Sequence, residues 1–344
     1  MSSMRHPKVL LLGSMYHKAG EDLLAAHADV RVLNDPDHEA ILQAISTASA
    51  VWVRYPTRLR GDAIRKGRRL LVISTSGRGT DAVDIPEATE RGIAVVNNPG
   101  LGIIPVSEHT VALMLDLAKQ ISRSDAAMRK PGGWTNRDGA ARISLEGRTV
   151  GLIGLGTIGT EVARKCIAAF HMRALAYDPY ISPSRADEVG AIWVEDLADM
   201  LREADFVSVH AELTHETRGM IGEAELRRMR PGAFLVNTAR GPIVQHAALI
   251  RALREGWIRG AAIDVFDPEP PPSDSPLHAL HNLVLTPHVA GLTAEAVHDL
   301  SMSAAGQILH VLRGERPAHL VNPEVWGRVR QRWEGAIEGS APPG

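Results

Sequence analysis

Side chains that can move protons and hold anions follow three short apolar runs in the second half of this sequence. They are Arg240 within Asn237–Gly241, Asp264 and Glu269 within Asp264–Pro270, and His288 within Thr286–Gly291. An imidazole titrates near neutral pH, and a guanidinium binds carboxylates through a planar fork of donors. Each apolar run is predicted to be a strand, and open α/β sheets bind ligands outside the carboxyl ends of their strands. The sequence therefore predicts a ligand site at these strand ends.

A glycine motif, Gly154-Leu155-Gly156-Thr157-Ile158-Gly159, joins the predicted strand 149–153 to a helical pattern that extends through Phe170. In this setting the first glycine makes a tight turn and the second lets a pyrophosphate approach the backbone. The third glycine lets helix and strand pack closely, and the helix N-terminus faces the phosphates. Alone, such a motif is an ordinary glycine-rich turn, but the strand–turn–helix context predicts a dinucleotide site.

Asp178 ends the next predicted strand, about 20 residues beyond the last glycine, where the dinucleotide fingerprint places an acidic residue. A carboxylate there can accept both ribose hydroxyls of NAD and repels the 2′-phosphate of NADP. No arginine directly follows Asp178. The sequence therefore predicts NAD as the cofactor, the alternative being that Asp178 is a turn residue before Pro179.

The elements that must position these residues alternate between strand and helix along the whole chain. This alternation predicts an α/β fold with two Rossmann-like, doubly wound parallel-sheet domains. Only the second series of strands carries the glycine fingerprint, so the first is expected to bind the substrate. The predicted strands are Val9–Leu12, Val30–Leu33, Ala50–Val53, Leu70–Ile73 and Ile93–Val96, followed by Thr149–Ile153, Ala174–Tyr177, Phe206–Val209, Phe234–Val236, Ala261–Ile263 and Leu283–Leu285.

The predicted domain boundary lies in the Gly- and Pro-rich segment Asn97–Pro105. The segment Val106–Ile121 that follows is predicted to be one long helix. The substrate domain is expected to be discontinuous in sequence. The predicted divisions are 1–102 for the first part of the substrate domain, 103–291 for the NAD-binding domain, 292–330 for a C-terminal helix that returns to the substrate domain, and 331–344 for a tail.

Composition limits the possible partners. The 38 basic and 40 acidic residues give no electrostatic reason to expect nucleic acid or an anionic membrane. No apolar stretch approaches the roughly 18 residues of a membrane helix. The one cysteine, Cys166, excludes an intrachain disulfide, suggests a reducing compartment and is expected to be a buried hydrophobe. We therefore expect a cytoplasmic protein that acts on small molecules.

A metal site is not expected. His278, His281 and His288 are clustered, but their spacing matches no standard zinc pattern and no cysteine lies near.

Further segments, taken with the motifs above, resemble the D-isomer-specific 2-hydroxyacid dehydrogenase family. This family includes phosphoglycerate, glyoxylate/hydroxypyruvate and D-lactate dehydrogenases. The segments are Ser76–Asp81, Asn98–Gly100 and Val106–His109, so the resemblance covers nearly the whole chain. It implies an NAD-dependent homodimer that transfers a hydride between the nicotinamide and a small D-2-hydroxy acid or 2-oxo acid.

The resemblance also implies a catalytic set of Arg240, Glu269 and His288. His288 would exchange the proton of the substrate hydroxyl, and Glu269 would hydrogen-bond the other ring nitrogen and stabilise the imidazolium. Arg240 would hold the substrate carboxylate and polarise its carbonyl.

The binding residues that the resemblance implies fall into two groups. Asp264 is expected to face the nicotinamide amide, and backbone N–H groups around Gly77–Gly79 are expected to hold the substrate carboxylate. The cofactor group is Gly154, Gly156, Thr157, Ile158, Gly159, Asp178, His210, Thr214, Thr238, Ala239, Asp264, His288 and Gly291. The substrate group is Arg54, Gly77, Arg78, Gly79 and Arg240.

Several residues depart from the family pattern. Glu212 stands where relatives often have proline, His278 where many have tryptophan, and Arg78 where most have a small, aliphatic or aromatic residue. Two guanidiniums, Arg54 and Arg78, beside Arg240 would be costly to gather without an anion. We therefore expect a substrate with a second anionic group. The alternative, that Arg78 turns outward toward a carboxylate, stays open at this point.

Two other functions are compatible with the same scaffold. Formate or phosphite dehydrogenases share it, although formate dehydrogenases pair the histidine with glutamine, which Glu269 argues against. An NAD-sensing corepressor, as in the C-terminal-binding proteins, would bind short peptides without useful turnover. Turnover with NADH distinguishes the enzyme from the corepressor. The physiological 2-oxo acid and the preferred direction of reaction stay open.

Overall fold

The computed structural model describes residues 7–137 and 142–338. The chain divides into two compact units. Unit 1 contains the residues up to Gly102 and those from Leu292 onward, and unit 2 contains Ile103–Gly291. Each unit is built on one parallel sheet with helices, so the predicted α/β fold with a discontinuous first unit is confirmed.

The strands and helices of the described residues are numbered in chain order. The strands are β1 Lys8–Leu12, β2 Asp29–Leu33, β3 Ala50–Val53, β4 Val72–Thr75, β5 Ala94–Val96, β6 Thr149–Ile153, β7 Arg173–Tyr177, β8 Ile192–Trp193, β9 Phe206–Val209, β10 Phe234–Asn237, β11 Gly260–Ile263 and β12 Leu283–Leu285. The helices are α1 Lys18–Ala25, α2 His38–Ile45, α3 Gly61–Lys66, α4 Ile85–Glu90, α5 Ile103–Lys119, α6 Ile121–Met128, α7 Thr157–Phe170, α8 Pro183–Asp187, α9 Leu197–Glu203, α10 Glu223–Arg228, α11 His246–Glu255, α12 Ala294–Leu312 and α13 Trp326–Glu338.

Unit 1 has a five-stranded sheet in the order β2-β1-β3-β4-β5. Strands β3, β4 and β5 are buried along their whole length, which explains the continuous apolar sequences of β3 and β5, while β4 ends in the buried Ser74 and Thr75. Helix α12 packs on α1 and on this sheet, and its Ile308 and Val311 are fully buried. Burial of one such side chain stabilises the fold by about 1.5–3 kcal/mol, so the C-terminal segment completes the core of unit 1.

Unit 2 has a seven-stranded sheet in the order β12-β11-β10-β9-β6-β7-β8. The chain leaves β6 toward β7 on one side and returns to β9 on the other, so the strand order reverses at β6. A crevice for a ligand forms at such a point because neighbouring loops leave in opposite directions. The polar residues singled out in the sequence therefore follow strands on both sides of this crevice.

The predicted long helix Val106–Ile121 is wrong at its end. Helix α5 stops at Lys119, Gln120 adopts a left-handed conformation with φ of 55°, and α6 begins at Ile121. The Asp116 side chain explains the break, because it accepts a 2.8 Å hydrogen bond from the N–H of Ser122 and so caps the new helix.

The predicted tail at 331–344 is also wrong over residues 331–338, which belong to helix α13. Val329 of this helix is buried, and the Trp333 ring nitrogen donates a 2.9 Å hydrogen bond to the carbonyl of Leu312. These contacts tie α13 to the end of α12. Residues 339–344 lie outside the described part of the chain.

Two smaller differences concern strands. Strand β4 lies two residues later than the predicted 70–73, and the short strand β8 was not predicted. Within 7–137 and 142–338, no helix combines the length and apolar character needed to cross a membrane.

Candidate active site

The glycine turn after β6 fits a bound pyrophosphate. Gly154 has φ of 92°, and a Cβ placed on it would come within 2.9 Å of the Ala211 nitrogen. A Cβ on Gly159 would come within 2.2 Å of the Gly154 carbonyl oxygen, so both positions require glycine. A Cβ on Gly156 would meet nothing within 4 Å, so space lies open at the second glycine. This is the pattern of the dinucleotide fingerprint.

Helix α7 begins at Thr157, with Gly156 as its N-cap and Ile158 in its first turn. Amide N–H groups at a helix N-terminus have no partners within the helix and favour an anion there. The Asp178 carboxylate lies beside the turn, because one of its oxygens accepts a 2.9 Å hydrogen bond from the N–H of Leu155. A carboxylate offers about four acceptor sites, so Asp178 can also accept ribose hydroxyls.

The loop after β9 begins with His210, whose ring nitrogen Nε2 lies 2.9 Å from the Ser208 hydroxyl. Burial lowers the pKa of His210 to about 4, so this side chain is neutral near pH 7. Thr214 is exposed, and its hydroxyl accepts hydrogen bonds from the N–H groups of Glu216 and Thr217 at 3.2 and 3.3 Å. Glu212, the departure from proline noted in the sequence, is also exposed.

The end of β10 is held by Asn237, a residue to which the sequence analysis gave no role. Its side-chain oxygen accepts a 3.0 Å hydrogen bond from the N–H of Ala239, and its side-chain nitrogen donates to the carbonyl of Arg240 at 3.0 Å. The Thr238 hydroxyl lies 2.9 Å from the Thr110 hydroxyl of α5. This buried network fixes the backbone from which the half-buried Arg240 extends.

Glu269 and His288 form a hydrogen-bonded pair. His288 Nδ1 lies 2.8 Å from Glu269 Oε2, and Glu269 Oε1 accepts a 2.7 Å hydrogen bond from the N–H of Phe266. The Glu269 side chain is 7% exposed and that of His288 is 34% exposed. A buried carboxylate thus fixes a partly exposed imidazole through one ring nitrogen, which sets its tautomer and directs Nε2 away from the pair.

Asp264 anchors the loop that carries His288. Its side chain is fully buried and accepts hydrogen bonds from the Thr286 hydroxyl at 2.6 Å and from the N–H groups of Val289 and Ala290 at 2.9 and 3.0 Å. These bonds hold the chain on both sides of His288. The expected contact of Asp264 with the nicotinamide stays a prediction.

His288 itself has φ of 54°, which is rare for a residue with a side chain. Its N–H donates a 2.8 Å hydrogen bond to the carbonyl of Asp264, which helps to hold this conformation. The loop ends at Gly291, where a Cβ would lie 3.7 Å from Val106 of α5.

His109 of α5 supports the same loop and was named in the sequence only as part of a motif. Its Nε2 lies 3.1 Å from the Thr286 hydroxyl and 3.8 Å from the Asp264 carboxylate. The segment Val106–His109 was the available signal, but no local pattern links it to a residue 177 positions away.

The substrate-binding candidates outside unit 2 lie at two strand ends of unit 1. Arg54 follows β3, donates a 2.8 Å hydrogen bond to the carbonyl of Ser14, and lies 4.8 Å above the Tyr16 ring. Gly77, Arg78 and Gly79 follow β4.

Hydrogen bonds to the carbonyl groups of Gly77 and Arg78 hold the turn after β4 in place. The Gly77 carbonyl accepts hydrogen bonds from the N–H of Asn98 and from the Thr75 hydroxyl, and the Arg78 carbonyl accepts one from the Asn97 side chain. A Cβ on Gly77 would meet nothing within 4 Å, and the Arg78 side chain is exposed. The turn therefore has open space beside its first glycine.

Three further residues that the sequence analysis considered, Cys166, His278 and His281, are given no role in proton transfer or ligand binding. Cys166 is buried, and burial raises the pKa of its thiol to about 12, as expected for a hydrophobic filler. His278 and His281 are exposed. Among residues 7–137 and 142–338, no group of three or more His, Cys, Asp or Glu side chains is arranged to hold a metal ion.

Comparison with known proteins gives a consistent result. Residues 111–290, more than half of the chain, match the family described as D-isomer specific 2-hydroxyacid dehydrogenase, NAD binding domain. A glyoxylate reductase of Thermofilum pendens is 38% identical, with 94% of this chain and 96% of the relative covered. A D-3-phosphoglycerate dehydrogenase of Archaeoglobus fulgidus is 38% identical over 92% of this chain, which spans only 59% of that relative's length. The crystal structure of the TT0316 protein from Thermus thermophilus superimposes with a TM-score of 0.84 at 33% identity, covering 91% of this chain and 99% of that one.

Proposed function

Because this chain belongs to the D-isomer-specific 2-hydroxyacid dehydrogenase family, we propose that it transfers a hydride between NAD and a small D-2-hydroxy acid or 2-oxo acid. The observation that carries the proposal is the Glu269–His288 pair, with Nδ1 and Oε2 2.8 Å apart. Glu269 lies in the loop after β11, and His288 lies in the loop after β12. Both strands belong to the same sheet as β6, the strand that precedes the glycine turn.

The proton chemistry belongs to His288. In the direction of 2-oxo acid reduction, its imidazolium gives a proton from Nε2 to the carbonyl oxygen of the substrate. In the reverse direction, the neutral imidazole takes the hydroxyl proton. Glu269 stabilises the imidazolium through Nδ1, as the carboxylate does in a serine-protease triad. The Phe266 N–H holds Glu269 in the orientation that this role requires.

The cofactor supplies or accepts the hydride. The turn Gly154–Gly159 and the N-terminus of α7 would hold its pyrophosphate, and Asp178 would hold its ribose hydroxyls. His210, Thr214, Thr238, Ala239, Asp264 and Gly291 are proposed as further cofactor-binding residues.

We propose that Arg240 binds the substrate carboxylate, with the backbone of Gly77–Gly79 and the side chains of Arg54 and Arg78 as further substrate-binding groups. Three guanidiniums favour a substrate with a second anionic group, such as a dicarboxylic or phosphorylated 2-oxo acid.

Turnover tests the function and Arg78 tests the substrate class. NADH oxidation is measured with oxaloacetate, hydroxypyruvate phosphate and 2-oxobutyrate. Arg78→Ala should lower kcat/KM for the two substrates with a second anionic group by about 10- to 150-fold, the equivalent of about 1.5–3 kcal/mol for a charged hydrogen bond, and spare 2-oxobutyrate. Arg31→Ala, which removes an exposed arginine of β2, is the matched control. Absence of turnover by the wild type with every 2-oxo acid would contradict the proposed reaction. Equal losses of kcat/KM for all three substrates in Arg78→Ala would contradict only the proposal that the substrate has a second anionic group.

We also propose that the protein is a homodimer through α6 and the turn that follows it. None of the residues of α6, Ile121–Met128, is buried. Ile121, Met128 and Trp134 are 57%, 54% and 67% exposed, which is unusual for large apolar side chains in one segment. Light scattering should give a dimer mass for the wild type and a monomer mass for Trp134→Glu. Ile192→Glu, at another exposed apolar residue, should leave the mass unchanged.

The cytoplasmic location stays a prediction from the sequence.

A further inference from the structure

A hydrogen bond joins the two loops that flank the glycine turn. Strands β7 and β9 lie on either side of β6 in the sheet, and the turn Gly154–Gly159 follows β6. Tyr180 lies in the loop after β7, and its hydroxyl donates to the carboxylate of Glu216 in the loop after β9. The two loops are therefore linked to each other at the side of the sheet where the cofactor turn lies.

Tyr180 is positioned by Asp178. The Tyr180 N–H donates a 3.0 Å hydrogen bond to Asp178 Oδ1, while Asp178 Oδ2 accepts from the N–H of Leu155 at 2.9 Å. The Trp193 ring nitrogen donates to the carbonyl of Asp178 at 3.2 Å. The Tyr180 side chain is 77% exposed, so the hydrogen bond to Glu216, rather than packing, holds its hydroxyl.

Glu216 is positioned by a short threonine turn. Its N–H donates a 3.2 Å hydrogen bond to the Thr214 hydroxyl, and the Thr214 N–H donates to the Thr217 hydroxyl at 2.8 Å. The basic group nearest its carboxylate is His215, with Nε2 3.9 Å from Oε1. Among the described residues, neither Glu216 nor Asp178 forms an ion pair with a lysine or arginine.

The hydrogen bond to Glu216 raises the pKa of Tyr180, with the Coulomb effects of Glu216 and Asp178 acting in the same direction. The phenol therefore keeps its proton and acts as the donor. Tyr180 is held by one carboxylate at its backbone and by the other at its hydroxyl, so one tyrosine separates two anionic groups.

We propose that the Tyr180–Glu216 pair, which we name the ribose clasp, is a second determinant of cofactor choice. The fingerprint assigns the ribose 2′-hydroxyl to Asp178, and the clasp fixes a second carboxylate within one tyrosine side chain of it. The 2′-phosphate of NADP adds negative charge at the ribose and meets repulsion from both groups, while NAD adds none there. The inference rests on binding of NAD by unit 2.

The test measures the dissociation constants of NADH and NADPH by cofactor fluorescence, without substrate. Glu216→Gln keeps an acceptor for Tyr180 but removes the charge. It should tighten NADPH binding by about 3- to 10-fold and change NADH binding by less than about 2-fold. At about 1 M salt, where the screening length is about 3 Å, the gain for NADPH should largely disappear.

The matched control is Glu203→Gln. Glu203 pairs with Arg173 at the amino end of β7, the opposite end of the strand from Asp178, so this variant removes the same charge from the other edge of the sheet. Its cofactor dissociation constants should equal those of the wild type. A Glu216→Gln shift no larger than that of Glu203→Gln, or equal shifts for NADH and NADPH, would overturn the proposal.

Tyr180→Phe tests the clasp separately from the charge. Without the hydroxyl, Glu216 is no longer held, so NADPH binding should tighten less than in Glu216→Gln. The double variant should match Glu216→Gln alone, because the two residues act as one unit. Additive effects would contradict the clasp. Failure of the wild-type protein to bind NADH would instead contradict the cofactor site itself.

Discussion

The first turn of unit 1 and the first turn of unit 2 have the same backbone design. Gly13 follows β1 with φ of 102°, and its N–H donates a 2.8 Å hydrogen bond to the carbonyl of Leu33 at the end of β2. Gly154 follows β6 with φ of 92°, and its N–H donates a 2.9 Å hydrogen bond to the carbonyl of Tyr177 at the end of β7. Both turns therefore leave a central strand in the same way.

The turns differ in what fills the space beside them. In unit 1, a Cβ on Gly13 would lie 2.9 Å from the Arg54 side chain, and the buried Met15 stands two residues later. In unit 2, the residue two positions after Gly154 is Gly156, where a Cβ would meet nothing within 4 Å. Helix α7 then begins at once, with its amide groups open to an anion. The absence of a side chain at Gly156, rather than a different backbone, therefore leaves space for a cofactor at the second turn.

The residue after the neighbouring strand differs as well. Asn34 follows β2, and its side-chain oxygen accepts a hydrogen bond from the Ser14 hydroxyl at 3.4 Å. Asp178 follows β7 at the equivalent position and accepts from the N–H of Leu155. A neutral amide in unit 1 thus corresponds, at this position, to a carboxylate in unit 2 that could accept ribose hydroxyls.

The largest expected effect concerns the proton transfer proposed for His288 of unit 2. His288→Ala should lower kcat by about 10²- to 10⁴-fold, the usual range for a general acid–base, because the variant lacks the proposed proton donor. NADH binding, measured by fluorescence, should persist, since the glycine turn is intact. Wild-type turnover in this variant would remove His288 from the mechanism.

Glu269→Gln tests whether Glu269 stabilises the imidazolium of His288. A neutral partner stabilises the imidazolium less, so the pH profile of kcat/KM for 2-oxo acid reduction should move to lower pH. An unshifted profile would show that Glu269 does not act through His288.

Gly156→Met gives the cofactor turn the residue that unit 1 has at the equivalent position. NADH binding should weaken by at least about 100-fold, or about 2.7 kcal/mol, because the side chain occupies the open space beside the helix N-terminus. The melting temperature should stay near that of the wild type. Gly232→Met is the control, because Gly232 is equally open but precedes β10 at the opposite edge of the sheet. Equal NADH affinities in the two variants would contradict the assignment of the turn.

Asp178→Asn copies the other feature of unit 1. The amide keeps an acceptor for Leu155 but loses the charge, so the preference for NADH over NADPH in kcat/KM should narrow by about 10-fold. Asn34→Asp, the reverse change in unit 1, should leave the preference unchanged. A wild-type preference for NADPH would show that Asp178 has been misinterpreted.

The last expected effect concerns stability rather than activity, and it involves the residues that follow β3 in unit 1 and β9 in unit 2. Arg54 follows β3 and donates its N–H to Leu12, while His210 follows β9 and donates its N–H to Ile153, so unit 2 has a neutral side chain where unit 1 has a charge. Burial lowers the folded pKa of His210 to about 4, below the roughly 6.5 of an unfolded histidine.

Between these two values the unfolded chain binds more protons, so stability is fully present above about pH 6.5 and falls as the pH drops toward 4. His210→Gln should reduce the loss of unfolding free energy between about pH 6.5 and 4 by up to about 3 kcal/mol. Urea denaturation at a series of pH values measures this loss. His215→Gln, at an exposed histidine of the same loop, is the control. Equal slopes for the two variants would contradict the burial of a neutral His210.

Much of the fold and the nucleotide site was predictable because the signals are local. The buried strands are mostly apolar, and the glycine turn places its strand, turn and helix within one short segment. The helix break at Gln120 was not predictable in this way. The apolar pattern of 106–121 extends past the break, whereas the Asp116 side chain accepts hydrogen bonds from the N–H and the hydroxyl of Ser122 at the start of α6.

The sequence by itself thus determined two α/β units, the glycine turn with Asp178, and the presence of an arginine, a glutamate and a histidine after successive strands. Only the tertiary structure decided how the histidine is held. Asp264 binds the backbone on both sides of His288, His109 supports Thr286, and His288 adopts a positive φ. These contacts join residues far apart in sequence, and a strained φ is stable only where such contacts surround it. No local pattern of residues can therefore specify them.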